Sequence, residues 1–266
     1  MKWSFVVIFM IIGAWMLAAC TKTVHLDLNN AAPKLVIEGQ VLNTRGPYKV
    51  QLTLTVNFSD PNKFPPVKGA KVSITDQTTG STDHLTETAS GIYSTHSLKG
   101  VPGHTYKMVV SVGTDMYTAS STMPDPIELD SLSFKKLNLF GNETFFAEVN
   151  FQDPADKDNY YTFVEYINGR QYNKATFTFD DRLSDGQYVS QQLFTDSAYI
   201  QPGDSITVKM HCVDKDVYHY FNTLEIAGNP EASTPANPVT NIKSKKSVLG
   251  YFSAQTVSIL SAKNDR

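Results

Sequence analysis

The chain has 266 residues, with 23 Lys and Arg against 26 Asp and Glu and a formal net charge of −3 at pH 7. That near balance, without a basic run behind the amino-terminal segment, excludes nucleic acid as an expected partner, and the length accommodates two modest domains or one large β domain. Its two cysteines, Cys20 and Cys212, give no disulfide framework, because the first is placed for another use.

Lys2 precedes the apolar run Phe5–Leu17, and small residues lead into a cysteine in Leu17-Ala18-Ala19-Cys20. The run is too short for a transmembrane span and has the layout of a secretory signal, residues 1–19. The cysteine just after small residues resembles the lipobox of bacterial lipoproteins. On that reading Cys20 is acylated on its sulfur, the signal is cut before it, and the chain hangs from a membrane by lipid. The alternative is an uncleaved anchor, against which stands the scarcity of basic residues behind the run. Removing the signal leaves a net charge of −4, since Lys2 is its only charged residue, and leaves no tryptophan, since Trp3 and Trp15 both lie in it.

Residues 20–34 are polar and aperiodic, as a tether would be. Alternation begins at Leu35: Leu35, Ile37 and Val41 share one face, with Val36, Glu38 and Gln40 on the other. Tyr48–Val56 alternates in the same way, Ser59–Pro66 is a proline-rich loop, and Ala70–Thr75 and Thr105–Val112 read as strands. Thr79-Gly80 and Ser90-Gly91 read as turns. Short alternating runs at this spacing predict an all-β fold whose residues 35–123 form an Ig/fibronectin-like β-sandwich.

Pro124 and Pro126 mark the expected boundary of a second β-rich domain, residues 124–266. Strands are expected at Phe145–Phe151, Tyr160–Ile167, Thr176–Phe179, Gln187–Phe194, Ser205–Val213 and Val248–Leu260. Asp214–Ile226 breaks the pattern with helical spacing of Val217, Phe221 and Leu224, which should face the core. Asp214 is the expected N-cap, and Gly228-Asn229-Pro230 the stop. A proline-rich loop, residues 229–240, follows.

Several stretches carry a resemblance: Leu26-Asp27-Leu28 leading into Pro33–Gly39, Gly69–Val72, Gly100–Gly103, Asp153-Pro154 before Asn159–Tyr161, Asp214-Lys215 before Tyr218 and Phe221, and Asn237-Pro238 before Gly250–Phe252. In their order and spacing these resemble a Bacteroidota lipoprotein family, domain of unknown function 4249, over essentially the whole mature chain. The resemblance implies an outer-membrane lipoprotein that accompanies a TonB-dependent receptor in nutrient uptake. It brings no catalytic residues. Thr21 after the cysteine is not the Asp that retains enterobacterial lipoproteins in the inner membrane, so the outer membrane is favoured. The display leaflet stays open. A cell-envelope adhesin or structural interaction protein is the alternative role.

The residues themselves offer little chemistry. Hydrolase elbows, zinc-binding His pairs and phosphate-cradling loops are missing from the sequence, so an enzyme is not expected. No cofactor is expected. Asp153, Asp156 and Asp158, in FQDPADKDN, are the candidates should a structural calcium ion bind, the bland reading being a solvated turn. Asp180, Asp181 and Asp185 form a second acidic loop, whose Asp185-Gly186 reads as a hairpin turn. Cys212 reads as a small buried hydrophobe, with His211 pointing to the opposite face. Tyr160, Tyr161, Tyr166, Tyr172, Tyr188 and Tyr199 suit either a binding face or the sheet core. Tyr218 and His219, at the helix edge, are the expected binding residues, placed beside the proline-rich loop.

Overall fold

The computed structural model describes residues 32–57, 60–61, 63–139, 142–171, 176–193, 200–228 and 237–265. The signal segment, Cys20, most of the tether, residues 229–236 of the proline-rich loop, Tyr172 and Tyr199 lie outside them. Pro33–Val56 together with Asp60–Arg266 form one compact unit, while a small unit, Met1–Ala32 with Asn57–Ser59, falls almost wholly outside the described residues.

The first strands are β1 (Leu35–Leu42), β2 (Lys49–Leu54), β3 (Lys71–Asp76), β4 (Thr82–His84), β5 (Thr86–Ala89), β6 (Ile92–Ser94), β7 (Thr105–Val112) and β8 (Asp115–Thr122). There follow β9 (Ser131–Leu139), β10 (Asn142–Gln152), β11 (Tyr160–Ile167), β12 (Arg170–Gln171), β13 (Phe177–Asp180), β14 (Tyr188–Leu193) and β15 (Ser205–Val213). A helix, α1 (Lys215–Gly228), precedes β16 (Lys243–Ser244) and β17 (Val248–Lys263). Among the described residues the fold is thus mainly β with one short helix, as the alternation predicts.

A nine-stranded sheet runs in the order β12-β11-β15-β17-β1-β2-β6-β5, with β13 also paired to β11. Two smaller sheets accompany it, β16-β8-β7-β3-β4 and β14-β10-β9. Period-two alternation explains how one sheet serves two sandwiches. Ile37 and Val41 of β1 and Val50 and Leu52 of β2 pack with Ile74 of β3 and Tyr106, Met108 and Val110 of β7. Farther along, Tyr161 and Phe163 of β11 and Val208 and Met210 of β15 pack with Ala147, Val149 and Phe151 of β10. Each fully buried large side chain contributes roughly 1.5–3 kcal/mol.

β17 joins the two halves. Val248–Gln255 pair in parallel with Leu35–Leu42 of β1, and Thr256–Lys263 pair antiparallel with β15. Val248, Phe252 and Ala254 complete the first core, and Leu260 and Ala262 flank the second. A linear division at residue 124 therefore separates the smaller sheets but not the large one. The close approach of β17 to β1 requires glycine: Gly250 has φ +98°, and a Cβ there would lie 1.9 Å from the Ile37 carbonyl oxygen.

The Asp185-Gly186 turn does not make a hairpin. β13 before it pairs with β11 and β14 after it with β10, so the segment crosses from one sheet to another. The helix starts where its cap predicts, Asp214 Oδ1 accepting the Val217 N–H at 2.9 Å. Its inward face differs from expectation: Val217 and Tyr220 are buried, whereas Leu224 is 40% exposed. Tyr220 and Phe221 are both large and adjacent, and the 3.6-residue period permits either as the inner position. Here both meet Tyr251, with ring centroids 5.1 and 4.8 Å away.

Candidate functional site

The residues singled out in the sequence are not brought together as a site. Asp153, at the end of β10, is fully buried. It accepts hydrogen bonds from the Tyr161 hydroxyl and, at 3.2 Å, from the Gly186 N–H. Asp156 and Asp158 are exposed, and Asp156 enters through its N–H, donated to Asp185 Oδ1 at 3.0 Å. The carboxylates that do converge are Asp153, Asp181 and Asp185, with ligand oxygens within 4.8 Å of one another. Asp156 and Asp158 are displaced from the expected grouping because the positive φ of Asp156, 65°, turns the loop outward. Burial raises the Asp153 pKa against the pull of Tyr161 and Gly186, and the charges of Asp181 and Asp185 push the same way. Asp181 is also buried and accepts the Asn159 N–H at 2.7 Å. These are hard oxygen donors of the kind calcium takes, yet each already holds a protein N–H or O–H, and together they knot the crossing segment to the end of β10.

Tyr218 and His219 part company. The Tyr218 hydroxyl donates to Asp180 Oδ2 at 2.6 Å, its ring lies 5.1 Å from that of Tyr160, and burial followed by Asp180 pushes its pKa up to about 12. His219 is exposed. Tyr218 thus fastens the helix to β13 and β11. The described end of the proline-rich loop does return to this helix, the Val239 N–H donating to Thr223 Oγ1 at 2.9 Å.

One cavity, smaller than the one of about 580 Å³ between β13 and β14, lies on the outer face of the large sheet beside the end of α1. It measures about 400 Å³. Its floor is a set of outward positions on adjacent strands: Thr162, Val164 and Tyr166 from β11, Lys209 and His211 from β15, and Gln255, Val257 and Ile259 from β17. Gln40 and Leu42 of β1 close one side, Gln171 and Thr176 another, and Phe221 and Tyr251 the helix end. Strand register fixes the floor, with Thr162 opposite His211 and His211 opposite Val257. The inward partners of these residues, Tyr161, Met210 and Cys212, are buried in the second core, so the groove rests on a packed layer. Gln255 is held in place, accepting the Ser253 hydroxyl at 2.8 Å.

The groove's charge is unusual for its depth. Burial, reinforced by Lys209, lowers the His211 pKa to about 4, so the ring is neutral at neutral pH and offers one donor and one acceptor. The Lys209 ammonium lies 4.7 Å from the Tyr166 ring centroid, a cation–π contact. Among the described residues no carboxylate lines the cavity. Of the described tyrosines named from sequence for a binding face, Tyr161 is core, Tyr160 packs on the helix, Tyr188 is 57% exposed, and Tyr166 enters the groove. The sequence signal for the rest was slight: alternation places His211 opposite Cys212, but only strand order sets it beside Tyr166 and Gln255.

Among the described residues no helix is long and apolar enough to cross a membrane. Residues 21–260 match the family described as Domain of unknown function (DUF4249), and the chain belongs to that family. No curated protein matches it.

Proposed function

We propose that this chain is a lipid-anchored outer-membrane accessory protein of a TonB-dependent uptake system, docking on the transporter and holding a small molecule in the outer groove. The observation that carries the reading is the groove itself: a concave cavity of about 400 Å³ on a packed sheet, in which polar side chains converge beside aromatic walls, as small-molecule sites require for orientation and contact. Its groups are suited to holding rather than transforming. Thr162 stands across from His211, but among the described residues the lining has no carboxylate to orient the imidazole or take up its proton, as an acyl-transfer or hydrolytic site would need. The Leu17-Ala18-Ala19-Cys20 sequence and the polar stretch behind it support the anchor.

The test is affinity capture of the chain from detergent-solubilised membranes. Co-recovery of a TonB-dependent barrel is expected, and consistent recovery without one overturns the companion role. Cys20→Ala is expected to move the chain out of the membrane fraction, since the acyl chains supply the anchoring energy; retention through a high-salt wash overturns the anchor. An adhesin is the second reading, favoured by Leu183 and Tyr188, 95% and 57% exposed, beside the cavity between β13 and β14. Capture of envelope structural proteins in place of a barrel would support it.

A further inference from the structure

The groove's chemistry narrows what it holds. Lys209 has no ion pair among the described residues, and the residue is half-buried. An arriving anion would supply the counter-charge and gain a charge-assisted hydrogen bond. His211 stands two residues along the same strand, so the two side chains leave one face about 7 Å apart. Its own side chain makes no hydrogen bond among the described residues, leaving an N–H free to donate. Glu38, the outward carboxylate of β1, does not line the cavity; it acts on Tyr220 and Tyr251 beneath the helix. Carboxamides and hydroxyls otherwise supply the polar surface, while Tyr166, Phe221 and Tyr251 supply flat apolar walls.

We infer that the groove binds a small organic monocarboxylate, its carboxylate bridging Lys209 and His211 and its apolar or aromatic body lying against Tyr166, Phe221 and Tyr251. Among the described residues one ammonium stands beside a neutral ring, which matches one negative charge better than the two of a phosphate dianion. The selection is therefore for charge at one end and apolar area at the other. This deepens the binding role proposed above and rests on it.

The experiment uses the full chain in detergent, with phenylacetate, its neutral analogue phenylacetamide, and the cation phenethylamine, read by calorimetry and ligand-observed NMR. Phenylacetate is expected to bind at least about tenfold more tightly than phenylacetamide, the loss of one charge-assisted bond being ~1.4 kcal/mol or more. Phenethylamine is expected not to bind. Lys209→Met should erase the preference for phenylacetate and leave phenylacetamide unchanged, with Lys209→Arg retaining most of it. An unchanged denaturation midpoint in each variant separates loss of the site from loss of the fold. Equal binding of phenylacetate and phenylacetamide, no binding of phenylacetate, or a preference that survives Lys209→Met each overturns the inference. Any of these results alongside successful capture of a barrel leaves the companion role standing. Carboxylate binding without a barrel removes that role and keeps the site.

Discussion

The two halves of the large sheet treat buried acids in opposite ways. In the first sandwich, Asp83 Oδ2 accepts the N–H groups of His96, Ser97 and Leu98 at 2.9, 2.8 and 2.9 Å, and its Oδ1 meets His96 Nδ1 at 3.1 Å. Burial alone would raise its pKa, but those bonds outweigh it and hold the carboxyl below its ordinary value. Asp76 behaves alike, with His104 Nδ1 at 2.9 Å. In the second half burial wins at three acids, although Arg182 holds Asp180 of β13 below its ordinary value. Asp153 and Asp214 are raised, and Glu165, on the inward face of β11 and 1% exposed, has both carboxylate oxygens buried without a hydrogen-bond partner. The first half is built for stability, whereas the second carries unfavourable charge directly beneath the groove. Strain of this kind collects where a protein does something besides fold.

Gly250→Ala should break the comparison outright, because β17 is the strand the halves share. With φ +98° and the Ile37 carbonyl where the methyl must go, a loss of at least about 4 kcal/mol is expected. Urea unfolding followed through both sandwiches should show them weakened together, and a loss under ~1 kcal/mol would mean the parallel pairing is dispensable.

Glu165 tests the second half with the opposite sign. Burial raises its pKa from 4.5 to about 7, so the folded chain binds the proton more tightly than the unfolded one. The cost is absent below pH 4.5, grows between there and about pH 7, and stays constant above, reaching about 3 kcal/mol. Glu165→Leu should therefore raise stability at pH 8 by about that amount, and Glu165→Gln should flatten the fall between pH 4.5 and 7. An unaltered pH profile would show the carboxyl to be solvated in solution.

Asp83→Ala should cost the first half about 2 kcal/mol at pH 7 by orphaning backbone donors. Since the Asp83 pKa is depressed, its contribution is present above the ordinary carboxylate range and is lost as pH falls through its folded value. A stability difference that persists at pH 2 would point to packing instead. The smallest effect is at the helix: Tyr218→Phe should cost ~1 kcal/mol by releasing Asp180, while His219→Ala stays within ~0.5 kcal/mol. Thermal melts that reverse this order would return His219 to the fold.

What the sequence revealed followed local contrast between residues. Leu35–Leu42 and Thr105–Val112 alternate large apolar with polar residues, and both emerged as strands close to their expected bounds. β8 and β4 were silent because Thr, Ser, Ala and Asp give alternation little amplitude. The helix was legible through Asp214 and its spacing, but Tyr220 beside Phe221 blurred its face. The acidic knot was half visible: Asp153, Asp181 and Asp185 were all suspected, in separate loops, and only the crossing of β13 and β14 between sheets unites them. The groove was out of reach altogether, because its floor comes from β1, β11, β15 and β17, whose adjacency no local pattern encodes.

That adjacency also sets when the molecule can be finished. Gln255 reaches Gln40 across a sequence separation of 215 residues, and Phe252 fills the core built by the first strands. Contacts of such range make folding slow, because loop closure precedes their reward. Until residues 248–255 arrive, β1 has one open edge and a core with a missing wall, a state prone to pairing with other chains. A polypeptide so constructed postpones its own completion until its final strand has been made.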